Sequence, residues 1–595
     1  MSGWLCLLLL YGVAPAKPKL NVGDPKVHPF ADPEGGRTSY RLAKEKTNDA
    51  RLYDFYQRQA DYYMTVPREN WPGILPAHPG LDAGQHGHWG KYSQNNHQDG
   101  RWNESEIGEV LTHVFRAKDL IVLKGISVRL GEKRELSVCF DPETLHYRAL
   151  WEGGFLSFHP FRWGSARNAT LKGTPWFIVK EAGMPQGGVY EGFSRPGKRI
   201  TFHYRLDATR VKDQPWADSS GFYRRIQLDG AGSFRLGLFP DTGDLEARIL
   251  SQQGLTAKID EGALVIDLAQ GAGEVVIHHG RKTDEQPRAF PAANDRLKPR
   301  WTNTIEVVGT LGEERADSAF VVDEIPVPHE NPYRQVMQLT GMAFFPDGDA
   351  LITTLAGDAW RVSGLGGDLK KVRWRRYATG FNQPMGVHID TSGVYVLDRG
   401  QIYRLKDTNG DGEADWYGNY ANDFGGYNRS HTHTFGLHRT SDGSFHFTQR
   451  ESILRTGPDR KTVEQGWGVR NCMGIGGARD SFWVAPQEGS WTPGSAIIEV
   501  HEGEFYGLPK KDGTAGTIAT PLCYIPRGVD NSTGGMVEIT SRGWGPFHRR
   551  HVGLSYGSGT YYLILRDDTG VRAQGAVVPL EGEFAAGVVR GAFHP

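Results

Sequence analysis

The sequence predicts a mainly β protein: an N-terminal β-sandwich-like region with one helix, then a six-bladed β-propeller whose last blade is incomplete. Three observations carry that prediction. Glycine is used 77 times and tryptophan 16 times in 595 residues, which favours turn-rich β structure over helix. Short runs of alternating apolar and polar residues, cut by D-G and S-G turns, recur through most of the chain. In the second half a glycine followed by apolar residues opens unit after unit, at spacings of 38 to 61 residues. A period of that size, with two or three short strands per unit, signifies propeller blades.

At the start of the chain, the apolar run Trp4 to Val13 precedes Ala14-Pro15-Ala16. This reads as a signal peptide over residues 1–16, with export to the periplasm or cell exterior. The run is too short to span a bilayer. Cys6 leaves with it, and Cys139, Cys472 and Cys523 are too scattered to imply a disulfide framework. A net charge of −1 gives no electrostatic footprint for nucleic acid or an acidic membrane surface.

Residues 17–185 form a first domain of helix plus β. Residues 40–66 lack Gly and Pro and set Leu52, Phe55, Tyr56, Tyr62 and Tyr63 near one face, which predicts a helix. A Gly/Pro/His-rich stretch follows, with His86 and His88 in a loop, and then strands at 120–130, 135–141 and 147–158. Over 186–322, strands at 199–206, 234–239, 263–268, 274–279 and 304–311 alternate with short turns and predict a two-sheet sandwich. The Pro-rich stretch 323–335 reads as a linker. From 336 to 595 the repeats open at Gly341, Gly386, Gly436, Gly474, Gly535 and Gly587. The sixth stops at Pro595, so its closing strands and any later domain are expected beyond that residue.

The stretch DTNGDGEADW (407–416) carries calcium-loop spacing, with Asp407, Asn409, Asp411, the Glu413 carbonyl and Asp415 at alternate positions and Gly412 in the turn. The twelfth position is Gly418, where an EF-hand needs a bidentate Glu, and a strand rather than a helix precedes the loop. An EF-hand is excluded. Two readings remain: a calcium-stapled connector between strands, and a plain Asn/Asp/Gly turn.

Arg470 and Asn471 precede one blade-opening glycine, a place from which a propeller loop points at the central channel. Arg offers a forked cation for carboxylates, and Asn offers donors and an acceptor. Gln487 and Glu488 end the next strand. His431 and His433 form an H-x-H pair open to three readings: a catalytic base, a two-ligand metal site, or polar channel lining. The motif GLSYG around Ser555 has nucleophile-elbow spacing, but a strand follows where the elbow needs a helix.

With Gly468, Arg470, Asn471 and Gly474, then Trp483, Gln487 and Glu488, then Gly503, Tyr506, Gly507 and Pro509, residues 336–595 resemble the soluble quinoprotein glucose/sorbosone dehydrogenases. The resemblance implies pyrroloquinoline quinone (PQQ) held by Arg470, Asn471, Gln487 and Glu488, with calcium as an aid and a sugar or related alcohol as substrate. It also implies a histidine base; aligned on Asp442-Gly443, that position falls on Thr432, between His431 and His433. Residues 30 to about 320 resemble a family of unknown function that precedes such propellers in large exported proteins of planctomycetes and related bacteria. In those proteins a c-type cytochrome domain often follows the propeller, which implies an electron acceptor of that kind beyond Pro595. A non-catalytic propeller that binds carbohydrate or a protein partner is the alternative from another class, since such folds host both.

Overall fold

The structure is a computed structural model and describes residues 57, 59–70, 101–159, 164, 169–195, 197–282, 289–290, 299–316, 318, 320–428, 433–487, 495–526, 529–530, 532–557, 559–581, 584 and 587–594. It is mainly β. The chain divides into two compact units, one of residues 97–311 and 323–432, the other of residues 1–96, 312–322 and 433–595. The helix predicted over 40–66 is helical at 57 and 59–65 and has ended by the bend at Val66; residues 40–56 and 58, the signal peptide and the His86/His88 loop lie outside the described residues. Among the described residues no helix is long and apolar enough to cross a membrane.

In the first unit, a seven-stranded sheet is built around Val110–Ala117, Leu120–Leu130, Leu136–Asp141 and His146–Glu152. Leu136–Asp141 is buried at every position, as a strand covered on both faces must be. The sheet shares one core with the strands Gly188–Ser194, Thr201–Leu206, Thr209–Asp218 and Gly221–Gly237. Phe140 stacks on Phe202 across that core with ring centroids 4.0 Å apart.

The strands predicted at 263–268 and 274–279 prove to be one, Ala263–Arg281, and 234–239 belongs to the long strand Gly221–Gly237. The glycines that read as turns lie opposite one another instead, Gly230 against Gly271, with a bulge between Gly230 and Gly232. Lacking side chains, they let a long hairpin bend without ending it.

Gly188–Ser194 also pairs with Trp416–Ala421, so the strands of the second repeat (Gly386–Asp390, Gly393–Leu397, Ile402–Lys406) belong to the same 11-stranded sheet. The first repeat gains a strand in the same way. Thr304–Val307 pairs with Val372–Thr379 at the edge of the sheet that ends in Leu339–Phe344.

Among the described residues the second unit carries three sheets, each opened by one inner strand: Thr434–Arg439, Gly474–Gly476 and Thr533–Glu538. Glycines along these inner strands have a steric cause. A Cβ on Gly436 would lie 2.4 Å from Ile475, one on Gly476 would lie 2.3 Å from the Met536 carbonyl oxygen, and one on Gly534 would lie 2.2 Å from that of Val588. The inner strands pack this closely on their neighbours, against the Ile475 side chain at Gly436 and against backbone at Gly476 and Gly534, and only glycine permits that approach. Gly476→Ala is expected to cost about 1–3 kcal/mol of stability, read as a fall in thermal midpoint. Gly366→Ala, where a Cβ meets nothing within 4 Å, is the control.

Candidate functional site

The three inner strands of the second unit run parallel, since Gly436 faces Ile475 and His438 bonds the Ala478 carbonyl, while Gly474 faces Gly534 and Gly476 faces Met536. Their starts therefore lie at one end, together with the ends of the second strands that return beside them. His433 precedes Thr434, Arg470 to Met473 precede Gly474, and Asp530 and Ser532 precede Thr533. Hydrogen bonds tie these starts into a band. Gln449 Nε2 donates to Thr434 Oγ1 at 2.8 Å, and Thr448 Oγ1 donates to the Cys472 carbonyl at 3.0 Å. The Gln487 amide donates to the Arg470 carbonyl at 3.1 Å, and its Nε2 donates to Ser532 Oγ at 2.9 Å.

The band ends on a buried carboxylate. Asp530, 1% exposed, accepts from the Ser532 amide and the Ser555 hydroxyl, both at 2.9 Å. Tyr562 OH donates to its other oxygen at 3.3 Å. Ser555 closes the strand His551–Ser555, the next strand is Tyr561–Asp568, and the hydroxyl is fully buried. It anchors Asp530 and has the surroundings of a structural group.

The predicted residues fall as follows. Arg470, Asn471 and Gln487 are half-buried at this end, and His433 is buried against Phe435, ring centroids 5.5 Å apart. Asn471 holds φ at +38°, a conformation that Asn tolerates better than most residues and that tends to mark functional turns. Glu488 and His431 lie outside the described residues.

Sequence reasoning missed Asp530 and Ser532. A positional signal was available: Asn382, Arg470 and Asp530 each stand four residues before an inner-strand glycine (Gly386, Gly474, Gly534). The backbone repeats with them, because the Arg399 amide bonds the Asn382 carbonyl at 3.0 Å just as Gln487 bonds Arg470. Thr432 holds the same offset from Gly436.

The loop 407–415 belongs to the other unit and closes on itself. Asp407 accepts from the amides of Gly410 (2.7 Å) and Gly412 (2.8 Å), Asn409 from that of Asp411, and Asp411 from that of Glu413. Asp415 takes the amide and hydroxyl of Thr408. The Glu413 carboxylate, 2% exposed, turns away to the amides of Arg300 (2.9 Å) and Trp301 (2.6 Å).

Among the described residues no three His, Cys, Asp or Glu side chains are grouped to hold a metal ion. The loop is a turn capped by its own side chains. Chelator is expected to leave the thermal midpoint unchanged, whereas Asp407→Ala should cost about 1–2 kcal/mol through two lost acceptors.

Residues 138–186 match the family model described as Domain of unknown function (DUF6797). No curated protein matches the chain. Among solved structures, the chain is similar at 14% identity to an oxidoreductase described as a glucose dehydrogenase of Thermus thermophilus, over 48% of this chain and 89% of that one, with a TM-score of 0.34. It is similar at 14% identity to the PQQ-bound aldose sugar dehydrogenase of Streptomyces coelicolor, over 41% and 81%, TM-score 0.30. It is similar at 12% to the apo-form soluble aldose sugar dehydrogenase of Escherichia coli, over 41% and 86%, TM-score 0.29.

Proposed function

We propose that the chain is an exported quinoprotein-type dehydrogenase that oxidises a sugar or related alcohol, built as a β-sandwich-like region followed by a six-bladed propeller. The observation that supports it best is the gathering of His433, Arg470, Asn471 and Gln487 at one end of adjoining inner strands. The donor set there suits PQQ: a guanidinium fork and two carboxamides match a ring bearing carboxylates and carbonyls. Arg470 and Asn471 would hold that group, with Gln487 and Glu488 beside them. When bound, PQQ supplies the hydride acceptor. His433, or His431 next to it, would take the proton of the substrate hydroxyl. The buried Asp530, through Ser532, fixes the Gln487 carboxamide and so the turn that presents Arg470. The electrons would leave to a c-type cytochrome.

The test is titration of the full chain with PQQ, followed by dye reduction across a panel of sugars. Arg470→Ala is expected to weaken PQQ binding about 10–100-fold, the range for a lost charge-assisted hydrogen-bond pair. No PQQ binding to the native chain would end this reading. The second reading, a non-catalytic module that binds carbohydrate through the same face, is favoured by one observation: His433 is only 4% exposed, and a base must be reached by its substrate. Sugar binding without dye reduction in the presence of PQQ would establish it.

A further inference from the structure

The opposite end of the same strands holds a different site. A cleft of about 430 Å³ lies between the first two sheets of the second unit, within the size range of small-ligand sites. Thr440 to Asp442 follow the inner strand Thr434–Arg439, and Asp480 to Phe482 follow Gly474–Gly476, so the cleft is remote from His433 and Arg470. Strand pairing builds one wall. His446 and Arg455 are cross-strand partners and so share a face, and His446 Nδ1 bonds Gln465 Oε1 at 2.9 Å. Phe482, its ring 5.0 Å from that of His446, forms the floor.

The polar inventory of this cleft is lopsided. Its carboxylates are largely engaged: Glu499 takes both arms of Arg566 at 3.0 and 3.3 Å, and Asp442 takes the Thr440 and Ser444 hydroxyls at 2.6 and 2.9 Å. Asp480 takes the Ser441 hydroxyl on one oxygen. Among the described residues, the guanidinium of Arg455, the Gln465 amide nitrogen and the Ser481 hydroxyl make no hydrogen bond, nor does the second oxygen of Asp480. The site thus offers one forked cation, further donors, and one carboxylate oxygen suited to a hydroxyl.

We propose that this cleft binds a sugar acid, a polyhydroxylated ligand with one carboxylate, anchored by Arg455. Asp480, Ser481 and Gln465 take its hydroxyls. A neutral sugar would leave the guanidinium without a counter-charge. A multiply charged anion would meet the carboxylates of Asp442, Asp480 and Glu499. A metal cation is unsuited because no three ligating side chains are grouped among the described residues. The site is independent of the oxidation proposed above.

Calorimetric titration of the full chain with D-galacturonate, D-gluconate, D-glucose and inorganic phosphate tests it. At least one of the two acids is expected to bind, with glucose at least about tenfold weaker, and Arg455→Ala should remove that advantage while the thermal midpoint stays in place. Arg455→Lys should retain part of it, because charge survives while the fork is lost. Arg470→Ala, at the other end of the strands, should change nothing. Absence of binding by both acids, equal binding of glucose, indifference to Arg455→Ala, loss with Arg470→Ala, or tighter binding of phosphate would each overturn the proposal.

Discussion

Asp213→Ala is expected to destabilise the first unit by about 3–5 kcal/mol, the cost of leaving a buried partner charge alone. Asp213 is fully buried and Arg224 is 1% exposed, with Arg224 Nη2 at 2.6 Å and Nε at 2.9 Å from one Asp213 oxygen. Tyr147 and Tyr204 each donate to the carboxylate at 3.0 Å. Burial opposes the Arg224 charge, and the Asp213 carboxylate outweighs it, so the guanidinium is held above its ordinary pKa. Removing Asp213 strands that cation and two phenolic hydroxyls together. Urea unfolding of Asp213→Ala measures the loss. The pair Asp213→Leu with Arg224→Met should recover the part due to the stranded cation, because an apolar pair carries no charge to desolvate, while the Tyr147 and Tyr204 hydroxyls stay without their acceptor. A double variant as damaged as the single one would show that shape rather than charge sets the cost.

The second large effect is a pH dependence centred on Asp398. This residue is fully buried, and burial raises its pKa to about 6 despite backbone hydrogen bonds from Asn382, Gly400 and Gln401 that favour the ionised form. The folded state therefore holds the proton more tightly than the unfolded chain, in which the ordinary value of 3.8 applies. A raised value contributes stability that is complete below about pH 4 and is lost as pH climbs through about 6. The loss sums to about 3 kcal/mol, at about 1.4 kcal/mol for each pH unit. Asp398→Asn cannot titrate. Its stability deficit relative to the native chain should shrink by that amount between pH 4 and 7, whatever constant penalty the amide brings. A deficit that stays flat with pH would exclude Asp398 as the titrating group.

What could be read from the sequence, and what could not, follows from which interactions are local. The repeat-opening glycines were visible because they recur at one place in successive sheets, where Gly436 and Gly474 leave no room for a Cβ. The strands of the first unit were visible through their apolar runs, apart from the two long ones, where a G-A-G tripeptide gives the same local signal whether the chain turns or bends. Arg470, Asn471 and Gln487 were legible as a group because their offsets from Gly474 are short. Asp530 was not, because its role depends on Ser555 and Tyr562, which arrive only when a separate hairpin folds back. In the 407–415 loop, one residue pattern serves both a cation and a set of backbone amides. Only geometry distinguishes them, and here the amides of the loop take the oxygens. The cleft around Arg455 left no mark in the sequence, since its walls come from two sheets.

The pairing of Gly188–Ser194 with Trp416–Ala421 has a bearing on synthesis. Ser194 meets Trp416, a separation of 416 − 194 = 222 residues, so on the ribosome the earlier strand waits with a bare edge until its distant partner emerges. Such an edge is a template for mispairing between neighbouring chains. The same logic constrains fragment design. A piece cut to begin after residue 323 would leave Trp416–Ala421 as an open border, and it should oligomerise where the longer chain does not, an outcome that sedimentation at two concentrations would reveal.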